Sequence, residues 1–337
     1  MGADAMYGPP ATFLGVPAAS LGEPASLSGA KAVVIGAPFD GGTSHRPGCR
    51  FGPAAIRTTD YLPHDARRPH LRLGVDPLVE LGVVDVGDVT MVPGEIETSL
   101  SRLRQAVEQV AATGALPVVL GGDHTIALPD VSAVATHVGW GLVSVVHFDA
   151  HADTGDLQFG SLYGHGTPMR RLIESGAVRG DRFVQIGLRG YWPDPATLDW
   201  MASQNMRSYD MAEITDRGLD TCLDEALALA VDGCSGVFLS VDIDVVDPGL
   251  APGTGTPEPG GLSGRQLLDA VRRVAMEVPL AGMDVVEVSP PYDQSDVTAY
   301  LANRVVLEAL SGVAWRLRPE AERRPTTGPL LEGRGGS

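Results

Sequence analysis

The feature that most limits what this chain can fold into is a repeated pairing: a short apolar run followed by a longer amphipathic stretch. The runs are Ala32–Gly36, Leu81–Asp85, Leu116–Leu120, Leu142–Asp149, Arg182–Gly187, Met206–Tyr209, Gly236–Asp242 and Leu280–Val286. Most are rich in Val, Ile or Leu and bounded by Gly, Pro or Asp; Met206–Tyr209 is the shortest and partly polar. A strand wetted on one face alternates apolar and polar residues, so a run apolar throughout predicts a sheet covered on both faces. That is the environment of parallel strands joined by crossover helices. Helical spacing fills the intervals at Gly52–Thr59, Ile96–Thr113, Asp130–His137, Pro168–Ser175, Pro195–Gln204, Asp220–Val231, Ser263–Glu277 and Val297–Gly312. The expectation is an α/β fold, a three-layer α/β/α domain with a mostly parallel sheet of about eight strands. Residues 1–30 read as an irregular N-terminal arm, 31–315 as one domain, and the Pro/Gly/Arg-rich 316–337 as a disordered tail.

Composition removes several function classes. The 25 Lys and Arg against 42 Asp and Glu leave a net charge of −17, which repels a phosphate backbone or an anionic membrane surface. Cys49, Cys222 and Cys234 are odd in number and form no C-x-x-C pair, which argues against a disulfide framework or a structural zinc site. No basic residue precedes Lys31, and no apolar run reaches the ~18–20 residues of a membrane helix. The reading is a cytoplasmic protein with no nucleic-acid or membrane partner.

The charged residues least suited to a core fall at the carboxyl ends of the strand runs, where open parallel sheets bind ligands. Leu116–Leu120 ends in Gly-Gly-Asp123-His124. Leu142–Val146 ends in His147-Phe-Asp149-Ala-His151-Ala-Asp153. Gly236–Val241 ends in Asp242-Ile-Asp244, and Met283–Val286 in Glu287. The spacing by two of Asp149, His151 and Asp153 puts three side chains on one face of extended backbone, and Asp242 and Asp244 repeat it. Burying one unpaired ion costs several kcal/mol, so something positive must sit among them. Asp149, Asp153, Asp242 and Asp244 supply −4, His124 and His151 supply neutral nitrogens, and two divalent cations supply +4. Oxygen ligands and imidazoles without a thiolate suit Mn²⁺. Two metals sharing one water lower its pKa from ~16 towards ~7, which makes hydroxide about 12 kcal/mol easier to generate at neutral pH. The chemistry expected is hydrolysis by a metal-bound hydroxide. Asp123 and His147 read as groups standing behind the ligands.

These segments resemble the ureohydrolase family of arginase, agmatinase and the guanidino-acid hydrolases. The likeness is carried by Gly121-Gly-Asp-His124, His147-Phe-Asp-Ala-His-Ala-Asp153 and Ser240-Val-Asp-Ile-Asp-Val-Val-Asp-Pro248. Ala251-Pro-Gly-Thr-Gly-Thr-Pro-Glu258 and Val286-Glu-Val-Ser-Pro-Pro291 add to it. It spans about residues 31–312 and implies two Mn²⁺ per subunit. One ion is implied on His124, Asp149, Asp153 and Asp242, the other on His151, Asp149, Asp242 and Asp244. It also implies a metal-bridging hydroxide that attacks the guanidinium carbon, releasing urea and an amine. Glu287 matches the carboxylate that pairs with the guanidinium, and His165 in Gly164-His-Gly166 matches a proton-shuttle histidine, expected to be mobile near pH 7. Gly155 stands where arginase has an Asn that holds the substrate α-carboxylate, which disfavours L-arginine. Agmatine, giving putrescine and urea, is the leading substrate, with 4-guanidinobutyrate or another guanidino acid as the alternative and a silent structural relative as a distant one. The substrate tail is expected at Leu157–Gly164 and Tyr191–Asp194. The resemblance further implies a homotrimer or homohexamer.

Overall fold

The computed structural model describes residues 11–59 and 69–323. Eight strands form one parallel sheet: β1 (Ala32–Ala37), β2 (Val84–Asp88), β3 (Leu116–Gly121), β4 (Val143–Phe148), β5 (Val178–Leu188), β6 (Arg207–Asp210), β7 (Gly236–Asp242) and β8 (Leu280–Val286). Their order is β2-β1-β3-β8-β7-β4-β5-β6, with every pair parallel. The chain therefore builds outward from β1 and leaves a gap between β3 and β4, which the last two strands fill.

Ten α-helices lie among the described residues: α1 (Gly52–Thr58), α2 (Pro77–Glu80), α3 (Ile96–Ala112), α4 (Ala127–Val138), α5 (Pro168–Glu174), α6 (Pro195–Ser203), α7 (Met211–Arg217), α8 (Leu219–Val231), α9 (Gly264–Glu277) and α10 (Val297–Leu317). Both sheet faces are covered, and successive residues of one strand enter opposite cores. Val34, Val118 and Val146 pack in one cluster with α8, α9 and α10. Val33, Val119 and Val145 pack in the other with α3 and α4. This is the period-two geometry of a strand buried on both sides, and it is why those runs carry no polar alternation.

Local signals set the helix starts. Asp194 caps α6 by accepting the N–H groups of Ala196 and Thr197, with Pro195 in the first turn. Ser263 and Gln266 form a reciprocal capping box at α9. The short helices α2 and α7 were not expected from the pattern; each begins at an aspartate cap and is too brief to show a helical period. The run at Leu81–Asp85 pairs three residues later than expected, as Val84–Asp88, because Gly82 turns the chain at φ +55° before the strand begins. The helix expected over Val297–Gly312 continues to Leu317, two residues past the boundary expected for the domain.

The described part of the N-terminal arm, residues 11–30, is irregular but anchored. Phe13 and Leu14 are buried, and Asp85 of edge strand β2 exchanges backbone hydrogen bonds with the segment from Pro17 to Ala19. The arm thereby covers an edge whose free N–H and C=O groups would otherwise template aggregation. Residues 1–10 and most of the expected tail, 324–337, lie outside the described residues. No helix among the described residues is long and apolar enough to cross a membrane.

One buried ion pair joins arm, helix and sheet. Arg57 donates to both carboxylate oxygens of Asp85 at 2.8 and 3.0 Å, contacts Asp88, and donates to the Gly87 carbonyl. Asp85 also accepts the Phe13 N–H at 2.8 Å. Arg57→Met strands a buried carboxylate, so it is expected to cost about 3–5 kcal/mol in denaturant unfolding, with part recovered in Arg57→Met/Asp85→Leu. An unchanged unfolding midpoint in the single variant would show that the pair adds nothing.

Candidate active site

Four adjacent strands, β3, β8, β7 and β4, deliver the polar residues to one place. His124 begins the 3-10 turn after β3, and its neighbour Asp123 caps that turn by accepting the Thr125 N–H. Asp149, His151 and Asp153 follow β4, Asp242 closes β7, Asp244 sits in the next turn, and Glu287 follows β8.

The six residues with implied metal-binding roles come together. His124 Nδ1 lies 3.1 Å from Asp149 Oδ2, 3.0 Å from Asp153 Oδ2 and 3.2 Å from Asp242 Oδ2. His151 Nδ1 lies 3.1 Å from Asp244 Oδ2 and 3.5 Å from Asp149 Oδ1. Asp149 belongs to both groups, one oxygen in each. His124 Nδ1, Asp149 Oδ2 and Asp244 Oδ2 are buried, and none has a well-aligned hydrogen bond despite the short distances between them and their neighbours. Buried polar atoms rarely stay unpartnered, and these converge from three strand ends. The donor set, carboxylate oxygens with imidazole nitrogens, fits hard divalent cations.

Electrostatics agrees. Burial, then the charges of Asp244 and Asp149, push the Asp242 carboxyl well above the usual carboxylate range. Burial opposes charge on His124, yet hydrogen bonding to Asp149, Asp153 and Asp242 pushes its pKa well up. His151 is driven the same way, against burial, by Asp244 and Asp149. Asp149 is held well below its ordinary range, against burial, by the imidazoles around it, His147 first and then His124 and His151. The cluster demands positive charge at these nitrogens, as a proton or as a metal ion.

The residues behind the cluster set the imidazole tautomers. Ser240 donates its hydroxyl to Asp284 Oδ1 at 2.7 Å, so it accepts from His124 Nε2 at 2.9 Å, which aims the other nitrogen, Nδ1, at the carboxylates. His147 is turned the opposite way. The Gln185 amide donates to its Nδ1 at 3.1 Å and to the Ala152 carbonyl, so the ring proton sits on Nε2, 2.8 Å from Asp149 Oδ2. His147 lies among the clustered ligand atoms but presents a proton to Asp149, not a lone pair. Sequence reasoning missed Ser240, Gln185 and Asp284. The available signal was a polar residue interrupting an apolar strand run, clearest for Asp284 within Leu280–Val286.

Beside the cluster, His165 Nδ1 is 2.8 Å from Glu287 Oε1. The same oxygen accepts the His124 N–H at 2.9 Å, and Oε2 accepts the Cys49 thiol at 3.1 Å. Burial keeps that thiol protonated, with Glu287 adding to the effect, so it remains a donor. Cys49 gave no sequence signal beyond being a lone cysteine in a loop. Burial disfavours charge on His165, but Glu287, followed by Asp123 and Asp153, overrides it and raises the imidazole to about 9. The expectation of a ring poised near pH 7 is thus displaced upward by a desolvated carboxylate. Ser44 serves both ring states: its N–H faces Nε2 at 3.1 Å, and its hydroxyl at 2.6 Å can accept from a protonated Nε2. Asp123 holds that loop by accepting the Gly42 N–H at 2.7 Å, so it stands behind the site as expected.

Two site residues sit in left-handed backbone, Asp153 at φ +52° and Glu287 at φ +62°. Each such non-glycine residue costs about 1–3 kcal/mol, which the surrounding hydrogen bonds must offset. A cleft of about 280 Å³ opens over His151, Asp153, His165 and Asp242, walled by Leu157, Gln158 and Trp192. These last three fall in the two segments expected to meet the substrate tail.

A sequence model of the arginase family matches residues 30–312. The proclavaminate amidinohydrolase of Streptomyces clavuligerus is 40% identical over 278 residues, 82% of this chain and 86% of that protein. Its solved structure superposes with a TM-score of 0.82 at 36% identity, covering 90% of this chain and 96% of that one. The mitochondrial agmatinase of Gallus gallus is 40% identical over 83% of this chain and 80% of its own. The guanidinopropionase of Pseudomonas aeruginosa is 40% identical over 82% of this chain and 85% of its own.

Proposed function

The chain belongs to the arginase family and is an amidinohydrolase, and from that premise we propose that it hydrolyses agmatine to putrescine and urea. Three relatives of equal identity carry names for three different substrates, so overall similarity does not select among them. The observation that carries the choice is the cleft. Its lining offers, among the described residues, no lysine or arginine to receive a tail carboxylate, and its two acidic residues, Asp153 and Asp242, stand with the metal-binding candidates. About 280 Å³ is near the lower end of small-molecule sites, a size suited to a short, unbranched guanidine.

In this reading His124, Asp149, Asp153 and Asp242 would hold one Mn²⁺, and His151, Asp149, Asp242 and Asp244 would hold the other. Two such ions would supply an activated water and positive charge against the developing tetrahedral centre. Glu287 receives the guanidinium. A carboxylate has about four acceptor positions, and three are filled by His124, His165 and Cys49, which leaves room for one substrate N–H. An arriving guanidinium competes with His165 for that carboxylate and loosens its hold on the imidazole proton. His165 can then pass the proton to the departing nitrogen, since an amine leaves readily only once protonated. Water is added across one C–N bond of the guanidinium: its oxygen ends in urea, and the amine gains two protons, as many as the water gives up, and leaves as an ammonium. Proton transfer by a placed imidazole typically contributes about 10²–10⁴-fold.

The test is urea release by Mn²⁺-loaded protein with agmatine, 4-guanidinobutyrate, L-arginine and free guanidine in parallel. Agmatine is expected to give the highest kcat/KM, by about tenfold or more over 4-guanidinobutyrate, the least that burying a tail carboxylate in a cleft with no cationic side chain to receive it should cost. A preference for 4-guanidinobutyrate would overturn the substrate while leaving the hydrolytic chemistry standing.

A further inference from the structure

The wall of the cleft that faces a substrate tail is unusual in what it has left to offer. Gln158 is committed at both ends: its carbonyl oxygen accepts the Gly166 N–H at 2.8 Å, and its amide donates to the Gly42 carbonyl at 3.3 Å. Ser44 is committed to His165. His151, Asp153 and Asp242 belong to the cluster of ligand atoms. What remains is the second amide N–H of Gln158, Thr256, Leu157 and the indole of Trp192.

The indole occupies its place by exclusion. A Cβ on Gly155 would lie 3.3 Å from Trp192 Cζ2 and 3.0 Å from the Gly166 carbonyl, and a Cβ on Gly166 would lie 4.0 Å from Trp192 Cη2. The ring edge therefore packs closely over Gly155, where a side chain would press on it, and lies in ordinary contact range of Gly166. An aromatic ring is not a neutral wall. Its face carries partial negative charge, so it attracts a cation and repels a carboxylate. The Thr256 hydroxyl can serve either group and does not discriminate.

We propose that Trp192 is the specificity-determining residue of this cleft, its indole selecting guanidines whose tail ends in an ammonium over those ending in a carboxylate. The inference rests on the amidinohydrolase reading above and adds to it the side chain that makes the choice. Gly155 is then a positioning residue, because it acts through the ring it allows to pack there.

The experiment compares agmatine, n-butylguanidine and 4-guanidinobutyrate in the wild type, Trp192→Phe and Trp192→Leu, all Mn²⁺-loaded and matched for metal content. n-Butylguanidine has the same chain without the terminal charge, so its ratio to agmatine isolates the ammonium. Wild type is expected to favour agmatine over n-butylguanidine by about tenfold in kcat/KM, mostly through KM. In Trp192→Leu that ratio is expected to fall towards one, while Trp192→Phe, which keeps an aromatic face, holds an intermediate value. If Trp192→Leu slows both substrates by the same factor, the indole only packs the wall and the proposal is overturned, with the agmatine reading intact. If the wild type instead favours 4-guanidinobutyrate, the substrate reading itself falls, and the role of the indole falls with it.

Discussion

Asp149→Asn is expected to remove urea release and metal retention together. Asp149 stands in both groups of ligand atoms, with Oδ2 beside His124 and Oδ1 beside His151. An amide offers one weakly basic oxygen in place of two charged ones, and its NH₂ end would point a donor at an imidazole or a cation. Both metal positions are then weakened at once. Turnover should fall more than about a thousandfold, because activation of water at neutral pH depends on the ions. The protein should stay folded, since removing a buried charge from a carboxylate cluster relieves repulsion with Asp242 and Asp244. Metal content by elemental analysis, urea release and far-UV circular dichroism on one preparation decide the matter. Two manganese ions retained per chain, with activity lost, would show that Asp149 serves the reaction without holding metal.

His165→Ala is expected to separate the two properties that Asp149→Asn removes together. The ring touches Glu287 and Ser44 and makes no contact with the metal-binding candidates beyond the shared Glu287 oxygen. The metals should therefore stay, and kcat should fall by about 10²–10⁴-fold, the usual worth of a placed proton donor. The pH profile carries the sign. Glu287 raises the imidazole to about 9, so its proton is held through neutrality and is lost only as pH rises through that value. Wild-type kcat/KM should decline above about pH 9, and that limb should be absent in His165→Ala. Loss of metal in this variant would count against a proton-transfer role, since it would mean that the ring holds the site together.

Much of the fold was legible in the chain because its signals are local. Six of the eight strands fall on their apolar runs to within about a residue at each end; the partial misfits are Leu81–Asp85, deflected by Gly82, and Arg182–Gly187, whose strand starts earlier, at Val178. The polar groups at the site were legible for the same reason. Spacing by two on extended backbone is written in consecutive residues, as in Asp149, His151 and Asp153. Asp284 and Ser240 were missed, because an isolated polar residue in a strand has no local partner to give it meaning. Trp192 fell within Tyr191–Asp194, a segment expected at the substrate tail, but its packing over Gly155 was not legible, and Cys49 gains its role from Glu287, far off in sequence.

The sequence by itself therefore determined the layer architecture, the residues that reach the carboxyl ends of the strands, and the charge that must be neutralised there. Only the tertiary structure decided which strand ends are neighbours. β3 and β4 are consecutive in the chain, yet β8 and β7 lie between them, a separation of about 14 Å at ~4.8 Å per strand. The last two strands in the sequence bring Glu287 and Asp242 into the middle of a site that His124 and Asp149 flank. The same order places Ser240 beneath His124 and thus decides which imidazole nitrogen faces the carboxylates. The physical reason is that strand character depends on the residues within one run. Strand order depends instead on how helices from distant parts of the chain bury both faces of the sheet, and no run of consecutive residues encodes that.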